Sequence, residues 1–265
     1  MYLKRLIVAA LLLPVLYIYI MLLPSQYFLL LMLCVSSLAL TEFYSMYRVR
    51  GIIKYTCIFL GIALLSASFI SKELLPEIIV ISVITIMCVR LLLKKDPHSS
   101  LQDISPPILG LLYIPVFLTF QIQIRKLGPE WIIFLYALVW VSDSIAYYVG
   151  KSLGKRRLYT AVSPNKTIEG AVGSILGGVL CSLFLSLTFI PLLTISSAVV
   201  IGIMIGATSI IGDLVESMFK RDAGIKDSGI IIPGHGGILD KIDGILFGGP
   251  VLYFMLLTIG AAHGS

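Results

Sequence analysis

Nine long apolar stretches, separated by short polar connections, leave this chain with one solvent in which it can fold. They fall at 6–23, 27–40, 52–70, 75–93, 108–124, 131–148, 168–190, 192–211 and 245–262. Most approach the ~20 residues that a helix needs to cross a bilayer. With 58% hydrophobic and 13% charged residues, and a mean hydropathy of +1.02, no water-soluble core could hide so much apolar surface. The fold class is therefore all-α, a polytopic helical bundle in the membrane with about nine spans. The second stretch is short and follows Leu23-Pro24-Ser25-Gln26, so the first two could form a tilted or re-entrant hairpin; eight or ten spans are the alternatives.

The basic residues fall in alternate connections. With the N-terminus in the cytosol, all of the 20 lysines and arginines except Lys72, Arg125 and Lys126 lie on the cytosolic side, and the C-terminus lies outside. The net charge of +6 also suits an anionic lipid surface. No repeat or long soluble insertion appears. The expectation is one integral domain over 1–265, with N-terminal membrane helices in 1–100 and a catalytic half in 101–265, whose cytosolic loops are 151–167 and 213–244.

Several local patterns carry little. Lys4 and Arg5 before an apolar run resemble a signal peptide, but the run is long and no small-residue cleavage site follows, so a retained helix is expected. Cys34, Cys57, Cys88 and Cys181 are scattered through apolar stretches and read as buried reduced thiols. Asn165-Lys166-Thr167 matches a glycosylation sequon on the wrong side of the membrane. Gly150-Lys151-Ser152 lacks the first glycine and the preceding strand of a P-loop. Gly170, Ser174 and Gly178, like Gly202 and Gly206, recur every four residues, which lets helix backbones approach closely in lipid.

Residues 217–243, SMFKRDAGIKDSGIIIPGHGGILDKID, have a different character. Lys220, Arg221, Lys226 and Lys241, with His235 in a Gly-His-Gly-Gly turn, suit a multiply charged anion held by side chains and by backbone N–H groups such as those of Gly236 and Gly237. Asp240 and Asp243 would repel that anion unless a divalent cation lay between them. Asp213, Glu216, Ser217 and Lys220 stand at i, i+3, i+4 and i+7, one polar face on a membrane helix. Asp143 lies near the cytosolic end of the sixth stretch, and Glu169, at the start of the seventh, suits a helix N-terminus.

The pattern Ser217-x-Phe219-Lys220-Arg221, Lys226-Asp227-x-Gly229, Ile232-Pro233-x-His235-Gly236-Gly237-Ile238-x-Asp240-Lys241-Ile242-Asp243 resembles the signature of the phosphatidate cytidylyltransferases, or CDP-diacylglycerol synthases. Asp143-x-x-Ala146-Tyr147-x-x-Gly150 and Ser163-Pro164-x-Lys166-Thr167-x-Glu169-Gly170 extend the resemblance over the C-terminal half, whereas 1–100 resemble the family only in being hydrophobic. Lys241 stands where the signature has Arg, which loses a two-pronged phosphate donor, and Asn165 stands where the family commonly has Lys.

The resemblance implies transfer of CMP from CTP to phosphatidate, with release of pyrophosphate, by an Mg²⁺-dependent nucleotidyltransferase of phospholipid synthesis; a second cation is left open. Its expected metal ligands are Asp213, Asp240, Asp243 and Asp143. Lys220, Arg221, Lys226, His235, Asp240, Lys241 and Asp243 are the expected catalytic residues, and Ser163, Lys166, Thr167, Glu169, Ser217, Gly236 and Gly237 the substrate-binding ones. The expected partners are CTP, phosphatidate and the bilayer, with no nucleic acid and a homodimer left open. The expected location is the bacterial cytoplasmic membrane, with the active site facing the cytosol. The rival readings are a CTP-dependent polyprenol or phytol kinase and a secondary transporter.

Overall fold

The computed structural model of the chain describes residues 13–191, 193–229 and 236–259. Helix α1 is the short apolar Leu13–Leu22, followed by α2 (Ser25–Met46), α3 (Gly51–Ile70), α4 (Leu75–Leu93), α5 (Ser100–Tyr113), α6 (Pro115–Leu127) and α7 (Pro129–Leu153). A ribbon of two strands, β1 (Arg157–Tyr159) and β2 (Ser163–Thr167), leads to α8 (Ile168–Thr188), α9 (Ile195–Asp222) and α10 (Leu239–Thr258). Among the described residues, 8 helical stretches are long and apolar enough to cross a bilayer, with α5 and α6 counted together. The chain is an all-α polytopic membrane protein.

Prolines set the breaks. Pro24 has an extended ψ of 153° between α1 and α2, so the joint that could have been a re-entrant hairpin is the start of a full-length α2. Pro115 has no N–H to continue α5, and the chain bends there into α6. Pro107 lies within α5, and the buried Tyr44 hydroxyl on α2 donates to its carbonyl at 2.9 Å. In the connection after α4, Arg90 is buried, forms an ion pair with Asp103 at 3.0 Å, and donates to the carbonyls of Lys94, Asp96 and His98. This basic residue shapes a loop as well as marking a side of the membrane.

Helices α7, α8, α9 and α10 make the most extensive packing, and small residues are the reason. A methyl group on Gly202 of α9 would stand 2.6 Å from the Val179 Cα of α8, and the Ser174 hydroxyl donates to the Gly206 carbonyl at 3.0 Å. The four-residue glycine spacing is thus a packing stripe, as the sequence predicts. The outer face is apolar, with Ile70, Leu92, Phe184 and Leu187 exposed as lipid requires. The four cysteines are free, but Cys34 and Cys88 lie on that outer face instead of in the core; a thiol costs little against lipid.

Among the described residues, the ribbon carries the only strands. Its strands are antiparallel, pairing Arg157 with Thr167 and Tyr159 with Ser163. The β2–α8 junction is tight: the Thr167 hydroxyl accepts from Gly170 N at 3.0 Å as an N-cap, and Ile168 N donates to the Arg156 carbonyl at 2.9 Å.

Candidate functional site: a carboxylate cluster at one end of the bundle

The site is built where α9 leaves the bundle and α10 enters it. A methyl on Gly212 of α9 would lie 2.5 Å from the carbonyl oxygen of Asp243, so the two backbones touch there and bring Asp213 and Asp243 together. Glu216, one turn after Asp213, completes a trio in which one carboxylate oxygen from each residue lies within 4.8 Å of the other two. Asp213 pairs with Lys166 of β2 at 2.6 Å and accepts from Ser217 at 3.2 Å. Glu216 is 1% exposed and forms an ion pair with Lys220. Neither Glu216 oxygen receives a well-aligned hydrogen bond among the described residues. A buried carboxylate so poorly supplied with donors, beside two others, fits a hard divalent cation held by oxygen.

Lys220 also pairs with Asp240 at 2.7 Å, with the lysine side chain 12% and the aspartate 11% exposed. Asp240 further accepts from Ser228 N at 3.2 Å, Ser228 Oγ at 3.0 Å and Gly237 N at 2.7 Å. Its oxygens are therefore committed to the first turn of α10 and to Lys220, and Asp240 stands outside the trio. Asp143 of α7 accepts from Ser209 of α9 at 2.5 Å, one turn before Asp213. Ser209 carried no signal in the sequence beyond its helical spacing from Asp213.

The other expected site residues separate into two groups. Lys226 and Lys241 are exposed at this end and engage no carboxylate among the described residues, as does Ser163 on the ribbon, half-buried. Arg221 donates to the carbonyls of Val162 at 3.2 Å and Ile225 at 3.1 Å, tying the ribbon to the end of α9. That end is a helix stop with Gly224 at φ +71° and Ile225 N bonded to the Lys220 carbonyl at 2.9 Å. Glu169 accepts from Lys155 N at 3.0 Å and Arg156 N at 3.2 Å, so it fixes the path into β1. Thr167 is buried as the cap of α8. Gly236, at φ +88°, occupies a backbone conformation that disfavours any side chain. His235 lies outside the described residues.

Two residues at this end were not singled out by the sequence. Glu42 of α2 is 4% exposed and meets the start of α10, although it lies in the half that looked merely hydrophobic. Tyr113, at the end of α5, is ringed by Phe43, Phe117, Phe219 and Phe247, and its buried hydroxyl has no partner among the described residues. Only the fold brings them here.

Residues 3–259 match the family described as the cytidylyltransferase family. The phosphatidate cytidylyltransferase of Bacillus subtilis (strain 168) is 33% identical over 264 residues, covering 96% of this chain and 97% of that one. That of Synechocystis sp. is 33% identical over 275 residues, covering 91% and 92%. That of Staphylococcus aureus (strain COL) is 39% identical over 164 residues, or 60% of this chain and 61% of that one. Matched from near its first residue to near its last, the chain belongs to the cytidylyltransferase family.

Proposed function

We propose that this protein transfers the cytidylyl group of CTP to phosphatidate, giving CDP-diacylglycerol and pyrophosphate. The observation that carries the reading is the trio Asp213, Glu216 and Asp243 interleaved with Lys166 and Lys220 in a chain that matches this family over residues 3–259. A phosphatidate oxygen forms a bond to the α-phosphorus of CTP as the bond to the β-phosphate oxygen breaks, and the electron pair leaves with pyrophosphate. A phosphate monoester, with a second pKa of about 6, is already anionic at neutral pH, so the attack needs no strong base. The barrier is repulsion between anions and the charge gathering on the leaving group.

The trio would hold Mg²⁺, which when bound supplies Lewis-acid neutralisation of the phosphates. The other residues do the rest of the positioning. Exposed Lys226 and Lys241, together with Ser163 and Lys166 of the ribbon, would meet phosphate oxygens. Lys220 bridges Glu216 and Asp240, with its ammonium paired to both. Lys241, as a point charge, meets a phosphate in one contact where Arg would make two. Purified protein given CTP, phosphatidate and Mg²⁺ is expected to release pyrophosphate only when all three are present; release without phosphatidate, or none in any detergent, contradicts the assignment.

The membrane is the bacterial cytoplasmic membrane in this reading, with the ribbon and the trio facing the cytosol, where CTP is. The basic residues at that end support it. In a cysteine-free background, Asn165→Cys in β2 should resist an impermeant thiol reagent added outside intact spheroplasts, and Glu73→Cys, between α3 and α4, should react. The reverse pattern would invert the orientation and remove the site from its nucleotide.

A further inference from the structure

Glu42 sits in a cage made by both ends of the glycine-rich segment. Its Oε1 accepts from Ile238 N at 2.9 Å, and its Oε2 accepts from Leu239 N at 2.9 Å and lies 3.2 Å from the Ser228 hydroxyl. The two amides belong to the start of α10, where helix N–H groups have no partner within the helix and the dipole favours an anion. Two glycines make room for the carboxylate: a methyl on Gly229 would lie 2.5 Å from Oε1, and one on Gly237 would collide with Oε2. Ser228 and Gly237 are also the residues that supply N–H donors to Asp240. One turn of α10 therefore receives Glu42 from α2 on one side and Lys220 from α9, through Asp240, on the other. Asp243 follows Asp240 by three residues on the same helix.

We propose that Glu42 is a positioning residue for the transfer reaction: it anchors the entry of α10 to α2 and so holds Asp240 against Lys220 and Asp243 against Asp213. The proposal rests on the reaction assigned above. Both carboxylate oxygens accept from donors, so an amide at this position would turn an NH₂ group toward a backbone N–H. The functional half of the chain thereby depends on a contact from the hydrophobic half.

The test is a double-mutant cycle between Glu42→Ala and Gly229→Ala in the full-length protein. With Glu42 present, the added methyl should lower kcat by roughly tenfold or more, and in the Glu42→Ala background by about twofold or less, because the clashing carboxylate is gone. Equal losses in both backgrounds overturn the proposal, as does full kcat in Glu42→Gln. Hydrogen exchange gives a second readout that does not need turnover. Peptides covering 236–246 should exchange faster in Glu42→Gln than in wild type, while those of α8 and α9 do not change; uniform acceleration, or none, overturns the anchor. Wild-type protein that makes no CDP-lipid in the same assay would defeat the reaction instead, and the exchange result would then decide the anchor alone.

Discussion

Asp243→Asn is expected to lower turnover by about a thousandfold while leaving the fold intact. The cation that the trio would hold stabilises the transferring phosphates by several kcal/mol, and each ~1.4 kcal/mol is a factor of ten in rate. Asp243 accepts from the Gly244 backbone, and an amide keeps an oxygen for that bond, so the change removes charge and a ligand with little loss of contact. Asp240→Asn has a different expected signature. Asp240 accepts from Lys220, Ser228 and Gly237, so its loss should lower the thermal midpoint in detergent as well as the rate. Steady-state rates and melting curves on the two variants separate a ligand from a structural acceptor. Full turnover in Asp243→Asn would remove it from the metal site.

The second large effect is expected at Lys220. Its ammonium is shared by Glu216 and Asp240, whose side chains are 1% and 11% exposed. Lys220→Met leaves two largely buried carboxylates uncompensated, at a cost of about 3–5 kcal/mol. The variant should unfold at markedly lower temperature and be inactive. Adding Glu216→Gln to it should recover part of the stability and none of the activity, since it removes one stranded charge and also one of the three carboxylates. Exposed Lys241 provides the contrast: Lys241→Gln should melt with the wild type and lose rate, and an unchanged rate would take its side chain off the phosphate. A Lys220→Met protein as stable as wild type would mean that its ion pairs do not carry the entry of α10.

Helices and the polar face of α9 could be read in the sequence because both are local properties. Hydropathy over ~20 residues gives the spans, and spacing of three and four residues puts Asp213, Glu216, Ser217 and Lys220 together without knowledge of any neighbour. The glycine stripes were legible for the same reason. Roles that depend on a distant partner were not. The sequence offers Asp213, Asp240 and Asp243 as equivalent carboxylates, and only the meeting of α9 with α10 at Gly212 separates Asp240, which caps and pairs, from the other two. Glu216 appears in the sequence as a member of a stripe; its burial beside two other carboxylates, with Lys220 as its one ion-pair partner among the described residues, is a property of the packed site.

The apolar half shows the same limit. Hydropathy places the end of the second span near residue 40, but α2 runs on to Met46, because Glu42 is supplied with donors from α10 almost 200 residues later. A carboxylate interrupts an apolar pattern in sequence and is buried without difficulty once its partners arrive. The β1–β2 ribbon was hidden by its length, since strands of three and five residues carry no usable alternation. What fixes it is capping by Thr167 and Glu169, two residues that the family resemblance assigned to substrate and that the structure engages with backbone.

The reaction itself is tested most directly by the fate of individual phosphorus atoms. Purified wild-type protein is incubated with phosphatidate and Mg²⁺, once with CTP labelled at the α-phosphate and once with CTP labelled at the γ-phosphate, and the chloroform-soluble product is counted. Transfer of the cytidylyl group predicts that the α-label enters the lipid and the γ-label leaves as pyrophosphate. A γ-label in the lipid, with CDP left in water, would make the protein a CTP-dependent lipid kinase and contradict the account.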